Sequence, residues 1–192
     1  MTYYIDFDNT IFDTVSFYND LKNVMHSYGI NDDIIDKYQH ISCYSPLELI
    51  DDLIRKNVID KSILIDIDKV FNNGEDYLYQ DALLFLEKVK PNNKLVLLTY
   101  GNKTYQERKI NSSKIQDYFN EIIITDKSKS SLELDYKSGI FIDDNTDVLQ
   151  ELLIRKPSKL IRIKRLNNPH SNVMINNDFI EEYKAFSEIS LR

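Results

Sequence analysis

The stretch YYIDFDNTIFDT, residues 3–14, joins a short apolar run to three acids, Asp6, Asp8 and Asp13. An apolar run this short reads as a buried strand. Asp6 and Asp8 stand two apart in an extended segment, so their side chains leave it on the same side. Carboxylates held that close repel each other unless a cation or a proton stands between them. The stretch therefore reads as a strand that ends at a site, and the rest of the chain has to supply the other parts of that site.

Other runs read as strands of the same kind: KLVLLTY at 94–100, EIIIT at 121–125 and GIFIDD at 139–144, with KLIRIKR at 159–165 as a weaker one that alternates apolar and basic positions. Helical patterns separate them. QDALLFLEKVK starts at Gln80 with Asp81 as its expected N-cap, carries apolar residues at 82, 83, 85, 86 and 89, and stops before Pro91. TDVLQELLIRK, from Thr146, is another. Strands alternating with helices imply an α/β fold, a Rossmann-like parallel sheet flanked by helices. The interval 14–78 breaks that rhythm and reads as amphipathic helices, VSFYNDLKNVMHSY, PLELIDDLIRK and KSILIDIDKVFNNGEDYLY, interrupted at GINDD and CYSP. The expected organisation is a core of residues 1–13 and 79–192 with a helical cap, 14–78, inserted after the first strand.

A chain of 192 residues is long enough for one well-buried domain carrying such an insertion. Its 29% charged and 42% hydrophobic residues are ordinary globular composition, and four Gly and four Pro speak against disorder or a repeat array. A net charge of -7 opposes general binding to nucleic acid or to an anionic membrane. With one cysteine, Cys43, no internal disulfide can form. No apolar run approaches the roughly 20 residues that span a bilayer. The start MTYYIDFD does not read as a signal peptide, so a cytoplasmic location is expected.

In an open parallel sheet the loops at the carboxyl ends of the strands converge on one crevice. The first strand delivers Asp6 and Asp8 there, with Thr10 just beyond; the second delivers Thr99, then Tyr100 and Gly101. Lys127 and Lys129 follow EIIIT, and the strand at 139–144 ends in Asp143 and Asp144, with Asp147 one turn further on. An acid-rich, all-oxygen donor set suits Mg2+ better than zinc. With such a cation present a phosphate can approach, and one carboxylate can attack phosphorus to form an aspartyl phosphate. A second carboxylate can protonate the leaving oxygen and later activate water. Threonine and lysine can donate to the phosphoryl oxygens.

In order and spacing, DFDNT at 6–10, LLTYG at 97–101, a lysine near 127 and FIDDNTD at 141–147 resemble the motifs of the haloacid dehalogenase-like hydrolase superfamily, spanning nearly the whole chain to about residue 150. The pattern Asp-x-Asp-x-Thr is the most specific of the four. The resemblance implies a Rossmann-like core, Mg2+ dependence, Asp6 as nucleophile and Asp8 as general acid and base. It also implies a helical cap that covers the site and selects the substrate. The candidate catalytic residues are then Asp6, Asp8, Thr99 and Lys127. Thr10, Tyr100 and Gly101 are candidate phosphate and substrate contacts, and Asp6, Asp8, Asp143 and Asp144 candidate Mg2+ ligands.

The match has departures. Asn9 stands where many relatives carry Gly, and DKSKSS offers Lys127 and Lys129 with no following proline. Lys127 is preferred by its distance from the strand end. IDD leaves open whether Asp143 or Asp144 takes the metal, and Asp147 either caps the next helix or supports the metal. The expected activity is hydrolysis of a small phosphorylated metabolite or nucleotide. A phosphomutase would use the same residues under a cap that keeps water out. A dehalogenase needs neither Asp8 nor a metal, and a receiver-like signalling domain carries its phosphoacceptor on a later strand. A non-catalytic binding module is the remaining alternative. His26, His40 and His170 show no metal-site spacing. Cys43 reads as a small residue near a bend, and RKPSKLIRIKR at 155–165 as an edge strand with charged outer positions rather than a nucleic-acid patch. Oligomeric state leaves no signature in the sequence.

Overall fold

A computed structural model describes the chain except at positions 40–42, 44, 167, 176, 191 and 192; His40 and part of the CYSP break lie outside the described residues. Six strands, β1 (Thr2–Ile5), β2 (Lys94–Tyr100), β3 (Glu121–Thr125), β4 (Gly139–Asp143), β5 (Lys159–Ile163) and β6 (Ile180–Tyr183), form one sheet in the order β3-β2-β1-β4-β5-β6. All adjacent pairs are parallel. Side chains alternate between two apolar clusters: Tyr3, Ile5, Leu95, Leu97, Ile140 and Ile142 enter one, whereas Tyr4, Val96, Leu98 and Phe141 enter the other. Because both faces are buried, the central strands read as continuous apolar runs. From β1 the chain builds outward to β2 and β3, then resumes on the other flank with β4, β5 and β6. This reversal makes the carboxyl ends of β1 and β4 the switch point at which open α/β sheets bind ligands.

Between β1 and β2 lie α1 (Thr14–Ser27), α2 (Asp32–Gln39), α3 (Pro46–Arg55), α4 (Ile63–Asn72) and α5 (Gln80–Val89). The first four leave and rejoin the sheet through adjacent stretches: the Asp13 N–H donates to the Tyr77 carbonyl (2.7 Å) and the Tyr79 N–H to the Ile11 carbonyl (2.9 Å). Asp13 caps α1, accepting from the Ser16 N–H at 3.0 Å. Phe17 is fully buried against Phe12, Phe71 and Tyr77, with ring centroids 5.2, 5.1 and 5.1 Å away. It thereby joins the apolar stripes of α1 and α4 to the loop after β1. The helix α2 begins at the end of GINDD and runs through residues to which the sequence reading gave no helix; the Asn31 side chain accepts from the Ile34 N–H (3.1 Å) at its start.

Beyond α5, α6 (Lys103–Ser113) follows β2 and α7 (Thr146–Leu153) follows β4. Ala82, Phe85 and Leu86 of α5 and Ile110 of α6 pack into the first cluster, Leu149 and Leu152 of α7 into the second. Asp81 does not cap α5. Tyr79 holds the N-cap position, and Asp81 instead accepts from Arg165 (3.0 Å) and from the Phe186 N–H (2.7 Å). Nor is β5 an edge strand: β6, whose IEEY sequence lacks an apolar run, covers it, and Arg162 in its middle is fully buried. Among the described residues no helix is long and apolar enough to cross a membrane.

Candidate active site

Asp6 follows directly on β1, and its N–H extends the ladder to β4 by donating to the Ile142 carbonyl at 2.9 Å. The chain then turns sharply, with the Ile11 and Phe12 N–H groups both donating to the Phe7 carbonyl at 3.0 Å. Asn9 takes φ +56° in this turn. Glycine enters that left-handed region freely, and Asn is among the few other residues that do so at modest cost. The departure from Gly at this position thus carries only a modest conformational cost. The turn buries Thr10 and directs its hydroxyl to Asp144 Oδ1 at 3.3 Å, so Thr10 braces a carboxylate rather than facing an open phosphate site.

The lysine brought into the site is Lys129. Its Nζ lies 2.6 Å from Asp6 Oδ1 and 2.7 Å from Asp143 Oδ2, and the residue is buried. Lys127 is exposed, and its main chain is held by the Thr125 hydroxyl, which accepts from the Lys127 N–H at 3.0 Å. The loop after β3 makes this tight turn first, and the residue that then points inward is Lys129, the first of a 3-10 turn, Lys129–Ser131, two residues beyond the expected position. Asp143 Oδ1 also accepts from the Asn145 N–H (2.9 Å), and the Asp144 carboxylate accepts from the Asn168 amide. Asp147 is exposed in the first turn of α7, whose cap is Asn145.

One oxygen from each of Asp6, Asp143 and Asp144 falls within 4.8 Å of the others, a grouping that could hold a metal ion. Burial, reinforced by repulsion from Asp143, Asp144 and Asp8, holds the Asp6 carboxyl well above the usual range despite Lys129. Burial and the neighbouring Asp143 push Asp144 up to about 7. Burial disfavours the charge on Lys129, but Asp143 and Asp6 outweigh it and keep the ammonium protonated.

Asp8 stands outside this metal-capable group, contrary to expectation, and its oxygens are engaged by other donors. Lys109 and the Thr14 hydroxyl donate to Oδ1, and Gln106 Nε2 donates to Oδ2 at 2.6 Å. Burial alone would raise the Asp8 carboxyl, yet Lys109 and these hydrogen bonds hold it below the ordinary value. The other N–H of Gln106 is shared between the Tyr100 carbonyl (2.8 Å) and Thr99 Oγ1 (3.2 Å), leaving the buried Thr99 hydroxyl its own proton to donate. Gly101, at φ +144°, lies against Gln106; a Cβ there would sit 3.0 Å from Nε2. The Tyr100 ring is exposed, and its hydroxyl accepts from Cys43 Sγ at 3.4 Å. Sequence reasoning missed Gln106 and Lys109. Their trace was a pair of polar residues, three apart, on the face of α6 that also carries the buried Tyr105 and Ile110.

No family model matches the sequence, and a search of curated proteins finds no match. Solved structures do match. A Burkholderia xenovorans LB400 protein classed among haloacid dehalogenase-like hydrolases aligns at TM-score 0.75 and 16% identity over 97% of this chain and 93% of its own. A HAD phosphatase from Thermococcus onnurineus aligns at TM-score 0.63 and 15% identity, covering 97% and 94%. Bacillus subtilis YfnB, a protein of the same class whose crystal is bound to magnesium, aligns at TM-score 0.60 and 12% identity, covering 97% and 95%. Likeness over nearly the full length at such low identity defines the fold: this chain has the haloacid dehalogenase-like hydrolase fold.

Proposed function

We propose that the protein is a cytoplasmic Mg2+-dependent phosphatase of the haloacid dehalogenase-like superfamily, acting on a small phosphorylated metabolite or nucleotide through an aspartyl phosphate on Asp6. The observation that carries this reading is the position of Lys129 between Asp6 and Asp143 in a buried three-carboxylate group at the switch point of the sheet. The donor set fits the ion: every candidate ligand atom is a carboxylate oxygen, and one lysine cannot neutralise three buried acids. Asp6 and Asp143 share Lys129 as counter-ion, whereas the side-chain partners of Asp144 are the neutral Thr10 and Asn168, which supports Asp144 as the carboxylate of the three most in need of a metal's charge. When bound, Mg2+ supplies positive charge against the phosphoryl oxygens and lets an anionic ester approach the acids.

The chain's own groups carry the chemistry. An Asp6 oxygen attacks phosphorus, the bond from phosphorus to the ester oxygen breaks, and that oxygen leaves with a proton. Water then attacks the aspartyl phosphate, gives a proton to a base and releases phosphate, restoring Asp6. Asp8, held ionised by Lys109, suits the base role: it takes the proton that the attacking water gives up in the second step, and that same proton is the one it returns to the leaving oxygen of the next turnover. Because Lys109 holds that carboxyl below its ordinary value, esters whose leaving oxygen needs little protonation are favoured. Thr99 and Lys129 donate to the phosphoryl oxygens. Residues 14–78 act as the cap; Glu48 of α3 accepts from the Asn102 amide (2.8 Å) next to the end of β2, which supports their lying over the crevice. A screen of phosphorylated metabolites with Mg2+, read as inorganic phosphate, tests the proposal, and absence of Mg2+-stimulated release across the set overturns it.

A further inference from the structure

The basic stretch after β4, read from sequence as a charged edge, is folded inward. Arg162, paired in register with Asp143 on β4 and Glu182 on β6, is fully buried. It donates to the Asp144 carbonyl (3.4 Å), the Val173 carbonyl (2.8 Å), the His170 carbonyl and Glu182 Oε2 (2.5 Å). It thus ties the loop that follows β5 to the backbone of the metal-site strand. Three residues on, Arg165 donates to the Thr10 carbonyl (3.1 Å) and rests on Asp81 and the Tyr79 ring, its carbon 3.9 Å from the ring centroid. Three residues further, Asn168, also buried, reaches Asp144 itself. The orientation of its amide is fixed: Oδ1 accepts from the His170 N–H at 2.7 Å, so the NH2 group faces the Asp144 carboxylate.

We propose that Asn168 is a positioning residue of the metal site, holding Asp144 in the orientation that turns it toward Asp6, with Arg162 as the clamp that delivers it. The inference rests on the Mg2+ reading above. Asp144 Oδ1 is braced by Thr10 and Oδ2 by Asn168, so its rotamer is set from both sides. Outer partners that orient a ligating carboxylate are worth ~10–100-fold in metal affinity.

The informative variant is Asn168→Ser. A serine can keep the short turn to the His170 N–H through its hydroxyl, yet is too short to reach Asp144. Asn168→Ala runs beside it, and Asn177→Ala serves as control, since Asn177 makes the same kind of turn to the Phe179 N–H (2.9 Å). Mg2+ affinity of the metal-free proteins is measured by titration calorimetry, together with melting in EDTA. The expected result is Mg2+ binding weakened ~10–100-fold in both Asn168 variants, with the wild-type fold retained in EDTA and wild-type affinity in the control. Wild-type affinity in Asn168→Ser and Asn168→Ala, or an equal loss in Asn177→Ala, overturns the role of Asn168 while leaving the Mg2+ reading intact. No Mg2+ binding by the wild-type protein overturns both.

Discussion

Lys109 donates its ammonium to Asp8 from 101 residues along the chain, with only 1% of the lysine exposed and its Nζ 4.9 Å from the centre of the Tyr105 ring. The contact ties α6, the helix after β2, to the loop after β1, so the second acid of the first motif is held by the element that follows the second. Lys109→Met should destabilise the protein by ~3 kcal/mol, because it leaves a largely buried carboxylate without its cation. Asp8→Asn alone should also cost stability, since it strands Lys109. The double variant should lose less than the sum of the two, because neither charge is left alone. Urea unfolding of the four proteins measures this, and strict additivity would refute a direct coupling.

The two lysines after β3 should behave oppositely. Lys129→Met removes the cation shared by Asp6 and Asp143 and should abolish phosphate release. Lys127→Met removes an exposed side chain and should leave kcat/KM within about two-fold, as surface substitutions usually do. Comparable losses in both would mean that the loop rearranges when substrate binds.

The parts of the site that were legible in the sequence are those carried by strand ends. Asp6, Thr99, Asp143 and Asp144 follow apolar runs whose register is set by burial on both faces, so their positions could be read off directly. Lys127 was preferred to Lys129 because both sit in a loop, where the count of residues between strand and site depends on turn geometry that DKSKSS does not reveal. Lys109, Gln106 and Asn168 were invisible for another reason. Each is a polar residue in a helix or loop that reads as solvated until the tertiary fold brings it against a carboxylate. Arg162 was misread by the same logic, since alternation with apolar neighbours describes an edge strand and a doubly covered one equally well until β6 is seen.

Asp6→Asn should reduce phosphate release by several orders of magnitude, since the attacking carboxylate supplies part of a barrier reduction on the order of 10 kcal/mol. The fold should survive and the metal-free protein should melt no lower than wild type, because the amide removes one of three mutually repelling acids while still accepting from Lys129. Melting in EDTA and phosphate release measured on the same preparation check both halves. Retained turnover would remove Asp6 from the role of nucleophile.

The final prediction concerns pH. Asp144 is pushed up to about 7 in the folded protein from an ordinary value of 3.8, and Asp6 is raised in the same direction. Between those values the folded state keeps protons that the unfolded state has lost. The stabilising contribution of these groups is therefore complete below the ordinary carboxylate value and is lost as pH rises through the raised one. In EDTA the melting temperature should accordingly carry a falling component between about pH 4 and pH 7, the opposite of what a salt-bridged acid gives. Mg2+ binds the ionised carboxylates, so the two effects diverge: the metal should raise the melting temperature little near pH 5.5 and far more near pH 8, with protons released on binding. Thermal melts across this range, with and without Mg2+, decide the matter. A metal-induced shift that stayed constant from pH 5.5 to pH 8 would show that Asp6 and Asp144 are not the groups that hold the ion.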